Sequence, residues 1–178
     1  YLKHIQPYTM NTKPTKKIEE LYSLIEQMEI AMMTTLDPTG NLHTRPMATQ
    51  TQAGIGDLYF VTSNDSDVVK EIMANPKINL GYLDNSSYEW VSVAGKARIS
   101  NNRDKIKELY QPDWRAWFSD EGSNKDGGPD DPRLTLIVVD CESVRYSKAK
   151  HSKPVAFFKF AKAMATGSKP DLNREEML

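Results

Sequence analysis

Only one cysteine, Cys141, occurs among 178 residues, so no disulfide can form within the chain, and the expected setting is reducing and cytoplasmic. The three histidines, His4, His43 and His151, are too scattered for the spaced clusters that metal ligation uses. Neither sign of charge is in excess. Lys and Arg number 23 against 24 Asp and Glu, and a net charge of −1 offers no bulk attraction to nucleic acid or to an anionic membrane. No run approaches the roughly 18 apolar residues of a membrane span. Residues 1–11 lack the apolar core of a signal peptide. Met10 is a possible natural start, which would make residues 1–9 an upstream extension. There is no internal repeat and no strand-helix-strand alternation.

What the chain does have is room for one domain and a series of short periodic segments. In residues 15–29, Ile18, Leu21, Tyr22, Ile25 and Met28 recur every three or four positions, the period of a helix with one buried face. Residues 30–36 and 42–52 read as two strands joined by the turn Asp37-Pro38-Thr39-Gly40. A second turn at residues 53–57 leads to the aromatic, β-branched strand 58–62. Polar residues 63–66 then open a helix to about Ala74, closed by Asn75-Pro76.

Strand character resumes at 77–83, and residues 88–100 alternate cleanly. Val91, Val93, Gly95, Ala97 and Ile99 fall on one face, with Tyr88, Trp90, Ser92, Lys96 and Arg98 on the other. A short helix is expected to Tyr110, then an exposed loop over residues 119–132 and final strands at 134–139 and 142–147. The apolar patch 155–160 predicts a small helix with residues 161–165 inside a polar tail. Met32, Met33 and Met73 are expected in the core, and Cys141 as a small buried residue. The division is an extension over 1–14, a domain over 15–150 and a tail over 151–178. About six antiparallel strands with helices at the edges indicate a mainly β, α+β barrel or sandwich.

Several segments, taken in order, carry a resemblance: Thr44-Arg45-Pro46-Met47, residues 58–63 with Ser66, residues 75–80, residues 91–97, and Trp114 through Trp117-Phe118 followed by Asp130-Asp131-Pro132. Together they resemble the pyridoxamine 5'-phosphate oxidase-like flavoproteins, in the branch of the general stress proteins, over roughly residues 15–148. The resemblance implies a six-stranded antiparallel split β-barrel with flanking helices. It also implies a homodimer formed along one barrel wall, with two FMN sites built from both subunits.

FMN carries a dianionic phosphate and a flat ring with polar edges, so its site needs donors for the first and an apolar slot with backbone groups for the second. Arg45 supplies a forked donor. Thr62 and Ser63 add hydroxyls at a strand end, and Ser66 stands where a helix begins. Each also has a plainer reading, Arg45 as a salt-bridged strand residue and Thr62, Ser63 and Ser66 as a helix cap. In the family pattern the backbones of Pro46, Met47 and Val61 edge the ring, while Trp90 and Trp117 are candidates to reach across the dimer interface or to anchor it. His43, read as an exposed strand histidine without a carboxylate partner, is set aside. Two departures from the pattern stand out. A cation is common where this chain has Val68, with Lys70 the nearest replacement, and Tyr-Trp is common where it reads Tyr146-Ser147.

These features lead to an FMN-binding protein, with flavin-dependent oxidoreductase chemistry on an unknown small molecule as one outcome. The alternative is a catalytically inactive dimer serving as a flavin-binding or stress-associated interaction protein. True pyridoxamine phosphate oxidation is not expected, because no second basic set is present to hold a substrate phosphate, and no catalytic residue is named.

Overall fold

The computed structural model describes residues 15–50, 57–150, 153–169 and 171–178. The expectations for the extension 1–14, the turn at 53–56, His4 and His151 lie outside the described residues. Among the described residues seven strands occur, β1 (Ile30–Leu36), β2 (Leu42–Gln50), β3 (Leu58–Ser63), β4 (Lys77–Asp84), β5 (Glu89–Ser100), β6 (Leu134–Ala149) and β7 (Asn173–Met177). Four α-helices accompany them, α1 (Lys16–Met28), α2 (Asp67–Ala74), α3 (Arg103–Leu109) and α4 (Lys153–Thr166), with a 3-10 helix at Pro112–Trp117. The strands are ordered β3-β2-β1-β4-β5-β6-β7, every pair antiparallel, and β3 also pairs with β6. That last pairing closes the first six strands into the expected barrel, and β7 lies outside the closure.

The alternation read in β5 holds: Val91, Val93 and Ala97 are buried and Lys96 and Arg98 exposed. Inside the barrel these residues meet Ala31 and Met33 of β1, Phe60 of β3, Leu80 of β4 and Ile137 and Val139 of β6. Leu21, Leu24 and Ile25 of α1 join the same cluster, as do Val68 and Ile72 of α2. Each Val, Leu, Ile, Phe or Met side chain among them contributes about 1.5–3 kcal/mol on burial.

A second cluster lies on the other side of β6, where Leu134, Leu136 and Val138 pack against Ile106 and Leu109 of α3 and Trp114 of the 3-10 helix. The apolar run at the start of β6 is therefore covered on both faces, which explains why it does not alternate.

Several expectations need correction. The two last strands are one, β6, interrupted by a register shift at which Ala94 faces Ser143 and Gly95 faces Cys141. The exposed residues 140–143 around that bulge broke the apolar pattern. Cys141 lies at this bulge and is exposed, not buried. The tail is more than polar chain: the expected helix is α4, and β7 pairs with Arg145–Ala149. The loop 119–132 is partly enclosed, since Gly127, Gly128 and Asp131 are buried. Of the three methionines assigned to the core only Met33 belongs there, because Met32 and Met73 are 46% and 76% exposed. Met32 falls on the outward phase of β1.

Candidate functional site

The hairpin turn between β1 and β2 is held by Asp37, whose Oδ1 accepts from the backbone N–H of Thr39 at 2.8 Å and of Asn41 at 2.9 Å. The Thr39 hydroxyl, followed by the Asn41 backbone, holds the Asp37 carboxyl well below the usual range. Gly40 takes φ +90°, a conformation that favours glycine. The turn fixes a register in which Met33 opposes Arg45 and Thr35 opposes His43. Since Met33 and Thr35 are buried, strand alternation turns Arg45 and His43 toward the same inner side.

Helix α2 returns over this end of the sheet and brings Glu71, one turn from Val68 and beside Ile72 on its buried side. Arg45 donates from Nη2 to Glu71 Oε2 at 2.6 Å and from Nη1 to Thr35 Oγ1 at 2.6 Å. The Thr35 hydroxyl donates to the same carboxylate oxygen. His43 Nδ1 lies 2.9 Å from Glu71 Oε1, and its Nε2 lies 3.7 Å from Asp37 Oδ2. His43 therefore does have carboxylate partners, supplied by the packing of α2 on the hairpin. Burial pushes the Glu71 carboxyl up, but the hydrogen bonds from Thr35 and Arg45 and the Arg45 charge outweigh it, so the group titrates below its usual range.

Beside this cluster β2 and β3 part company. They pair only at Thr49 with Phe60 and Gln50 with Tyr59. Continued pairing would oppose Ala48 to Val61, Met47 to Thr62 and Pro46 to Ser63, and none of these pairs forms. Each strand keeps its other neighbour, β1 for Pro46–Ala48 and β6 for Val61–Ser63. A cleft with backbone on both walls results, split where Pro46 has no N–H to give. The Met47 side chain packs on the barrel cluster and Val61 on the second cluster. Since the Thr49 N–H donates to the Glu29 carbonyl on the β1 side, alternation leaves the backbone groups of Ala48 and the carbonyl of Pro46 on one wall of the cleft and those of Val61 on the other.

At the open end of β3 the Thr62 hydroxyl donates to Ser66 Oγ at 3.1 Å, and Ser63 Oγ donates to Asp65 Oδ1 at 2.5 Å. Ser66 is the N-cap of α2 by position, without a side-chain cap hydrogen bond. Lys70 donates to Asp67 at 2.8 Å, and both side chains are largely exposed. That bond holds Asp67 below its usual range, with lesser help from the charges of Arg45 and His43, so the first turn of α2 lies in the field of the Arg45 cluster.

Arg45, Pro46, Met47, Val61, Thr62, Ser63, Ser66 and Lys70 thus gather around one cleft and the helix that follows it. Trp90 and Trp117 do not join them within the chain. Trp90 sits on β5 opposite Leu83 and Ser147, separated from β2 by β4 and β1, and Trp117 is 83% exposed at the end of the 3-10 helix. Val68, at the position of the family's cation, is 4% exposed in the barrel cluster. Glu71 escaped sequence reasoning. Its signal was a carboxylate on the apolar face of a helix, at the spacing of Val68 and Ile72.

Among the described residues no group of three or more His, Cys, Asp or Glu is arranged to hold a metal ion, and no helix is long and apolar enough to cross a membrane.

Comparison with known proteins agrees with this architecture. The chain is 33% identical to the protein bli-3 of Neurospora crassa over 162 residues, 89% of this chain and 78% of that one. It is 29% identical to general stress protein 26 of Bacillus subtilis over 102 residues, 56% and 67% of the two chains. Among solved structures, a Jannaschia sp. CCS1 protein provisionally named general stress protein 26 matches with TM-score 0.69 at 23% identity, over 89% of this chain and 94% of that one. A Xanthomonas citri protein described as a general stress FMN/FAD binding protein matches with TM-score 0.62 at 22% identity, over 74% and 89%. The family described as pyridoxamine 5'-phosphate oxidase like matches over residues 16–171. With the closed six-stranded barrel and a match spanning nearly all of it, the chain belongs to the pyridoxamine 5'-phosphate oxidase-like family, alongside the general stress proteins.

Proposed function

We propose that the protein binds FMN in the cleft between the parted ends of β2 and β3 and acts as a flavin-dependent oxidoreductase on a small molecule. The observation that carries this reading is the loss of β2–β3 pairing beyond Thr49 and Gln50, which leaves strand backbone facing strand backbone beside a cluster of hydroxyls. A flat ring with polar edges matches such a slot, and the hydroxyls match the polar end of the ligand. Pro46, Met47 and Val61 would edge the ring, with Thr62, Ser63, Ser66 and Arg45 toward the phosphate. The donors fit a flavin well, whereas the charge fits a phosphate dianion poorly, since Arg45 and Lys70 are each paired with a carboxylate. Bound FMN would supply two-electron chemistry, with the chain holding and orienting it. The description of the X. citri protein as FMN/FAD binding supports the assignment.

The working unit of this reading is a homodimer. Ile30, Met32, Pro46, Ala48 and Leu83 lie exposed on the outer side of β1, β2 and β4, an apolar barrel wall suited to a second copy. Trp90 and Trp117 would then meet the partner. The test is titration of the purified chain with FMN, followed by flavin fluorescence, with sedimentation of the same samples. Saturation at one flavin per chain on a dimer is expected. No saturable binding at high micromolar FMN would reject the flavin, and a monomer would reject the shared site.

A further inference from the structure

The cations nearest the cleft are already occupied. Arg45 is held by Glu71 and Thr35, and the Glu71 side chain is only 6% exposed and bound in addition by the Thr35 hydroxyl and the His43 imidazole. Lys70 is held by Asp67, and Asp65 lies against the Ser63 hydroxyl. The next position on the buried side of α2 is Val68, committed to the core. Around the hydroxyl cluster Arg45 and Lys70 are thus each paired with a carboxylate, Glu71 and Asp67, with His43 also on Glu71 and Asp65 in the field of Lys70 and Arg133. An arriving phosphate dianion meets a guanidinium that is already neutralised, and Glu71 cannot leave without breaking the bonds that make its burial tolerable. The ring and sugar-alcohol portions of a flavin carry no such charge and are indifferent to this arrangement.

Resting on the flavin reading of the cleft, we propose that Glu71 is a specificity-determining residue: it fills the anion position on Arg45 and removes the advantage that a terminal phosphate would otherwise give a flavin. The chain therefore takes flavins with little regard to phosphorylation. The Arg45–Glu71 pair, not the hydroxyls, sets this limit.

The experiment is parallel titration of wild type and Glu71→Gln with FMN and with riboflavin. Glutamine keeps the size of the side chain and an oxygen for Arg45 and Thr35 while freeing the guanidinium charge. Wild type should bind the two flavins within about tenfold of each other, and Glu71→Gln should tighten FMN by about tenfold or more, the worth of one charge-assisted hydrogen bond, with riboflavin unchanged. A wild-type preference for FMN beyond tenfold would overturn the assignment whether or not the variant folds, as would an unchanged FMN-to-riboflavin ratio in the folded variant. Failure of the wild type to bind either flavin is a different result: it removes the flavin reading itself, and the role of Glu71 with it.

Discussion

No solvent reaches Asp131. Its carboxylate accepts from the backbone N–H of Gly127 at 2.8 Å and of Arg133 at 2.9 Å, and from Arg133 Nη2 at 2.7 Å, which ties the long loop before β6 to the barrel. The hydrogen bond from Arg133 outweighs burial and holds the carboxyl at about 2. Because the folded-state value is depressed, the stabilisation is fully present above the unfolded value near 3.8 and is lost as pH falls through about 2. A shift of this size corresponds to about 2 kcal/mol. Asp131→Asn should therefore unfold at lower urea than wild type at pH 6, with the gap closing below pH 4; a gap independent of pH would contradict this origin. The same loop read as simply exposed from sequence, since nothing in its Gly, Asp and Pro content announces that one carboxylate turns inward. Thr62, Ser63 and Ser66 were visible as polar residues at a strand end and a helix start, and Arg45 as a forked donor within the strand motif Thr44-Arg45-Pro46-Met47. Glu71 was not, because its partners on β1 and β2 are 26 to 36 residues away along the chain.

Among the elements, β5 and β6 are joined through a bulge that depends on Gly95. A Cβ at this position would overlap the Asp140 carbonyl oxygen and crowd the Cys141 backbone, so neither strand can keep its course with a larger residue. Gly95→Ala should cost about 2 kcal/mol or more in urea unfolding, where overpacking commonly costs 1–3; a change under about 0.5 kcal/mol would show that the bulge adapts freely. In sequence Gly95 sat unremarked among the alternating residues of β5, since its requirement comes from the facing strand. The alternation itself was legible because one face of β5 is buried and the other is wet. The tail strand β7 was hidden for the opposite reason: lying on the outside of β6, Asn-Arg-Glu-Glu-Met has no apolar face to declare.

At the scale of the molecule, turns and strand periods announced an antiparallel barrel or sandwich, and the resemblance carried by the ordered motifs made it a split barrel. The parting of β2 and β3 was not readable, because it is a pairing that stops. Residues 42–50 look like any strand, and only the register with β3 shows the edge left open beside Arg45. The central claim is that a flavin lies along that edge. Amide hydrogen exchange of the full chain, measured with and without saturating FMN, examines it directly. The account predicts slowed exchange at the amides of Ala48, Val61 and Ser63, which alternation turns toward that edge. Bound flavin that leaves those amides unchanged, while protecting the separate cavity lined by Asn64, Asn101, Arg103, Asp130 and Pro132, would contradict it.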